Sequence, residues 1–152
     1  MFLKLVNIDD DPNNVIYLES VKFFLNELLG AHTCKQVSKI FIKVNAHMYD
    51  MGECSVRQLK NNKISIRIKF SKKNNFIDSL ITLAHECIHA KQFVKHELMT
   101  DKTWIWKGKD YGNDPYITMH YKKLPWEKEA YKKETSLTIK YLNHYFSKMN
   151  DA

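Results

Sequence analysis

The chain has 152 residues, 44% hydrophobic and 27% charged, ordinary proportions for a folded protein that exclude a fibrous repeat or a disordered chain. Lys+Arg 24 outnumber Asp+Glu 17, giving +7 carried almost entirely by lysine, because Arg57 and Arg67 are the only arginines. No apolar run approaches the roughly 18–20 residues of a membrane helix, and Cys34, Cys54 and Cys87 lack the paired spacing of a disulfide framework.

The first apolar segment runs straight into Asp9-Asp10-Asp11, the wrong flank for a secretory signal, so a cytoplasmic location is expected. The acidic triplet reads as a solvated turn, with Asp11 as N-cap and Pro12 at the first helical position. From Asn13 to Leu29, Val15, Ile16, Leu18, Val21, Phe24, Leu25, Leu28 and Leu29 recur at helical spacing, and Gly30 suits the end of that helix. The period then changes. Val37–Val44 is β-rich, Met51–Leu59 supplies another strand, and Asn61-Asn62-Lys63 suits a hairpin connection. Ile64–Phe70 alternates strictly, which predicts a strand with one face solvated. A second helix, capped by Asn75, is expected to reach about Leu98 with Ile77, Leu80, Ala84, Ile88 and Val94 as its core stripe. Thr103–Tyr111 suggests a short hairpin, and the stretch to Leu124 is irregular and aromatic. Pro125 opens a last helix over roughly 126–148, with Ala130, Leu137, Tyr141, Leu142, Tyr145 and Phe146 apolar. The order helix, sheet, helix, loop, helix predicts a single α+β domain with a mixed or antiparallel sheet.

The second helix contains His85-Glu86-Cys87-Ile88-His89. Side chains four apart lie on one helix face, with Cβ atoms about 5–6 Å apart, so both imidazoles can converge on one Zn²⁺. Glu86, one step round the helix, can reach a water at the metal without being a ligand. Cys87 points elsewhere and reads as a buried hydrophobe. A catalytic zinc takes a third protein ligand. His96 is too far along the axis, and Gln92 stands where a helix-breaking glycine would be needed for a third histidine. His120 is one candidate. Glu127, in the first turn of the last helix, is preferred because the helix dipole holds a carboxylate ionised there. Glu129 points about 200° away from Glu127, so only one of the two faces a metal.

HExxH followed by a glutamate on a second helix resembles the gluzincin metallopeptidases. Leu124-Pro125-Trp126-Glu127-Lys128-Glu129-Ala130-Tyr131 is similar to the small zincin-like proteins of phages and bacteria, near the minigluzincin and SprT-like domains. The resemblance covers about residues 60–135. It implies His85, His89 and Glu127 as zinc ligands, in an ExxA pattern whose next position is often Asp and is Tyr131 here. That Asp usually orients a ligand histidine, and Glu134, one turn further, is the stand-in.

The function expected from this is zinc-dependent cleavage of a peptide bond in a peptide or protein substrate, with Glu86 as general base and then acid. Tyr111, Tyr116, His120, Tyr121 and Tyr131 are the candidates for stabilising the oxyanion. If Ile64–Phe70 is the sheet edge, it can pair with an extended substrate. Two alternatives stand beside this: a nucleic-acid-associated protease using the Lys-rich surface with Trp104, Trp106 and Tyr111, and a metal-binding interaction protein without catalysis.

Overall fold

The computed structural model describes residues 2–6, 11–44, 52–71 and 75–151; Met51 and the Asp9-Asp10 part of the acidic triplet lie outside them. The fold is α+β. Strand β1 (Phe2–Val6) leads through helix α1 (Asn14–Cys34) to β2 (Val37–Val44), and β3 (Gly52–Gln58) and β4 (Ile64–Phe70) complete the first sheet. Its order is β1-β2-β4-β3, with β1, β2 and β4 parallel and β3 antiparallel to β4. The β1–α1–β2 segment is the helical crossover that parallel neighbours require. The β3–β4 hairpin turns through Asn61 and Asn62, both at positive φ, a conformation asparagine tolerates better than most residues.

Helix α1 starts two residues later than the sequence suggested. The Asp11 carboxylate accepts from the Asn13 N–H at 2.8 Å, so it braces the turn ahead of the helix. Gly30 (φ 78) interrupts the helix as its type allows, yet helical turns resume as far as Cys34, whose side chain is buried. Helix α2 (Phe76–Val94) is capped as expected, with Asn75 Oδ1 accepting from the Asp78 N–H at 2.8 Å. It ends at Val94, short of Leu98: His96 takes a left-handed φ of 56, and Leu98 belongs to a strand.

Alternation along β2 and β4 sends Ile40, Ile42, Ile66 and Ile68 to one face, where α1 (Val21, Phe24, Leu25) and α2 (Leu80, Leu83, Ala84, Cys87) cover them. Each fully buried Val, Leu, Ile or Phe among them contributes about 1.5–3 kcal/mol. Val15, Ile77 and Phe146, expected in the core, are exposed because they fall outside the buried stripes of their helices.

A second sheet, β5 (Leu98–Thr100), β6 (Trp104–Trp106) and β7 (Lys109–Asp110), is antiparallel throughout. After the single-turn helix α3 (Pro115–Thr118), helix α4 (Pro125–Asn150) packs along α2. Trp126, fully buried, joins these parts: Trp104 stacks on it at 5.3 Å between ring centroids, and Tyr111 meets it edge-on at 5.4 Å. Among the described residues no helix is long and apolar enough to cross a membrane.

Candidate metal centre

His85 and His89 stand one turn apart on α2, a spacing that brings their Nε2 atoms to 3.1 Å from each other. Glu127 enters from the first turn of α4, where Pro125 occupies the helix start and Trp126 locks it into the aromatic cluster. Its Oε2 lies 3.1 Å from His85 Nε2 and its Oε1 3.2 Å from His89 Nε2. All three side chains are buried, Glu127 being 2% exposed. They form a group that can hold a metal ion.

The surrounding hydrogen bonds test that fit. Glu134 Oε2 sits 2.6 Å from His85 Nδ1 and only accepts, so Nδ1 carries the ring hydrogen. Gln92 Nε2 donates to the Trp126 carbonyl at 3.0 Å and to Glu129 Oε1 at 3.1 Å, which turns Gln92 Oε1 toward His89 Nδ1 at 2.9 Å. Both outer nitrogens are therefore donors, and in the neutral rings both Nε2 lone pairs point inward, at each other and at a carboxylate. Three converging acceptors need a positive charge among them. A tetrahedral ion with ligands at about 2.0–2.1 Å holds its donor atoms about 3.3 Å apart, close to the separations here.

The electrostatics agree. Burial opposes ionisation of Glu127, but hydrogen bonds from His85 and His89 outweigh it and hold its pKa at about 2. Burial lowers His85, yet its bonds to Glu127 and Glu134 prevail and raise it to about 9. Without metal, the site keeps protons where a cation would sit. Glu86, 5% exposed, is pushed up to about 7 by burial, partly countered by His89 and His85.

Tyr116 has a part the sequence left unassigned. Its hydroxyl accepts from Trp126 Nε1 at 2.8 Å and donates to Glu127 Oε1 at 3.1 Å. That relay fixes the carboxylate from behind, so Tyr116 is committed to orientation.

Other candidates lie elsewhere. Glu129 turns away to Lys91 Nζ at 2.7 Å, as its 200° offset requires. His120 is exposed and accepts only from the Lys122 N–H, at 3.3 Å. Cys87 is fully buried in the main core. Tyr131 presents its ring to His85 at 4.8 Å.

Two cavities flank Glu86, sharing Gly52, Glu86 and Tyr121 as walls. One, of about 480 Å³, is aromatic, lined by Phe93, Leu98, Trp104 and Trp126. The other, of about 490 Å³, is bordered by Asp78, Thr82, His85 and Glu134. Gly52 makes the close approach of β3 possible: a Cβ there would fall 2.7 Å from Glu86 Oε1 and 2.7 Å from Thr82 Cγ2.

No family model, curated protein or solved structure matches the chain.

Proposed function

We propose that the protein is a zinc-dependent hydrolase of peptide bonds. The observation that carries this reading is the convergence of His85 Nε2, His89 Nε2 and the Glu127 carboxylate, with both histidine Nδ1 atoms already committed as donors, beside the free-standing Glu86. When bound there, Zn²⁺ supplies Lewis acidity that polarises a carbonyl oxygen and acidifies water. The remaining chemistry belongs to side chains.

Burial raises Glu86 to about 7 in the metal-free site, which suits a carboxylate that takes a proton from water and returns it to the departing amine. Glu134 and Gln92 hold the two imidazoles, and Tyr116 holds Glu127, each by one hydrogen bond. Of the five residues considered for oxyanion stabilisation, Tyr121 alone borders both cavities. Burial, with Glu127 nearby, pushes its phenol well up, so it keeps its proton and can donate it in a hydrogen bond.

An extended substrate cannot pair with β4, because β2 and β3 occupy both its sides. Of the two edge strands, β1 and β3, it is β3 that borders the cleft, through Gly52, Glu53 and Cys54. A peptide lying along it would send alternate side chains toward the aromatic cavity.

The test is a paired measurement on protein purified without chelators. Elemental analysis should find one zinc per chain in both wild type and Glu86→Gln, while cleavage of a peptide library is abolished in the variant. Unchanged cleavage by Glu86→Gln contradicts this reading.

A further inference from the structure

The face of the first sheet turned away from α1 and α2 carries a different chemistry. Strand register arranges its outward residues in three rows across β2, β4 and β3: Lys39, Ser65, Arg57; Phe41, Arg67, Ser55; and Lys43, Lys69, Glu53. Five cations thus stand against one acid. Both arginines of the chain are here, on adjacent strands, although lysines outnumber them throughout. Among the described residues none of the five is ion-paired, whereas Lys91, Lys107, Lys133 and Lys140 all are. The Arg67 guanidinium lies over the Phe41 ring, 5.3 Å from its centroid. Between the rows is a groove of about 510 Å³ lined by Lys39, Phe41, Ser55, Arg57, Ser65 and Arg67.

We propose that this face binds single-stranded nucleic acid. Unpaired guanidinium forks match phosphate oxygens in a planar, two-point geometry that lysine lacks, and the exposed Ser55 hydroxyl adds a donor beside them. The Phe41–Arg67 stack is a platform of the kind on which an unpaired base lies, and the groove has the volume of a nucleotide-sized ligand. A duplex fits less well, since α1 and α2 cover the opposite face of the sheet and, among the described residues, no helix lies on this one to enter a major groove. A membrane also fits less well, because Phe41 is the only apolar side chain in the three rows and it is half-buried. The aromatic residues that the sequence offered for this role do not serve it: Trp104, Trp106 and Tyr111 pack onto Trp126. The proposal rests on the sheet face alone and is independent of the metal reading.

The probe is a fluorescein-labelled oligothymidylate of about twelve nucleotides, titrated by anisotropy between about 50 and 200 mM salt. Binding should weaken steeply over that range. The double variant Arg57→Ala/Arg67→Ala should bind at least about tenfold more weakly, and Phe41→Leu, which keeps apolar bulk but removes the ring, at least about fivefold more weakly. Lys132→Ala/Lys148→Ala, an equal charge loss on exposed positions of α4, should change binding less than about twofold. Circular dichroism and melting temperature check that each variant folds. Should the alanine pair fail to fold, Arg57→Lys/Arg67→Lys replaces it and should still bind measurably more weakly than wild type. The proposal is overturned by no binding at the lowest salt, by equal losses in the α4 pair, by an unaffected Phe41→Leu, or by phosphatidylserine vesicles that displace the oligonucleotide.

Discussion

His85 and Glu134 show how much of this site is set by single hydrogen bonds. The 2.6 Å contact at Nδ1 fixes which nitrogen faces inward, and removing it frees the ring to rotate. Glu134→Ala should therefore weaken zinc affinity by about 10–100-fold in a chelator competition, with Glu134→Gln retaining part of it as an acceptor. The charges also predict a pH dependence. Glu127 is depressed to about 2, so its contribution to stability is present above the ordinary value of 4.5 and is lost as pH falls toward 2. His85 is raised to about 9, so its contribution is complete below 6.5 and is lost as pH rises through 9. Glu86, raised to about 7, adds a loss between 4.5 and 7. Chelator-treated protein should then melt highest at mildly acidic pH, about 5, and progressively lower toward pH 9. Zinc affinity has the opposite sign: binding displaces the proton on His85, so it strengthens with pH, and calorimetry in buffers of different ionisation enthalpy should register proton release at pH 7.

At the scale of elements, the HExxH helix and the start of α4 were legible because both signals are local: a four-residue spacing in one, Pro125 after an irregular stretch in the other. Helix α2 stops short of Leu98 although the apolar period continues that far, because His96 takes a left-handed φ and Leu98 is buried in β5 with Leu124 and Trp126. That Tyr116 orients Glu127, and Gln92 orients His89, was not legible in sequence, since both roles depend on Trp126 bringing α4 against α2 and the second sheet. Trp126→Ala should cost about 3–5 kcal/mol in chemical denaturation and lower zinc content as well, because the next residue is Glu127. Gly52→Ala separates two roles of β3: zinc should remain, while crowding against Glu86 and Thr82 costs about 1–3 kcal/mol of stability and reduces turnover.

For the whole molecule, the order of helical and alternating segments foretold the α+β class but not which strand forms the edge. Ile64–Phe70 alternates like a half-solvated strand because one of its faces is indeed open, yet hydrogen-bonding neighbours on both sides are invisible to alternation. The net charge of +7 likewise said nothing of its distribution; only the register of β2, β4 and β3 gathers both arginines on one face. The fold places that face and the buried His-His-Glu group on opposite sides of one sheet. Zinc-edge X-ray absorption of the purified protein tests the buried group most directly. The expected result is one zinc per chain with only nitrogen and oxygen neighbours at about 2.0–2.2 Å, lost in His89→Ala. Protein without stoichiometric zinc, or a sulfur neighbour at about 2.3 Å, would contradict it.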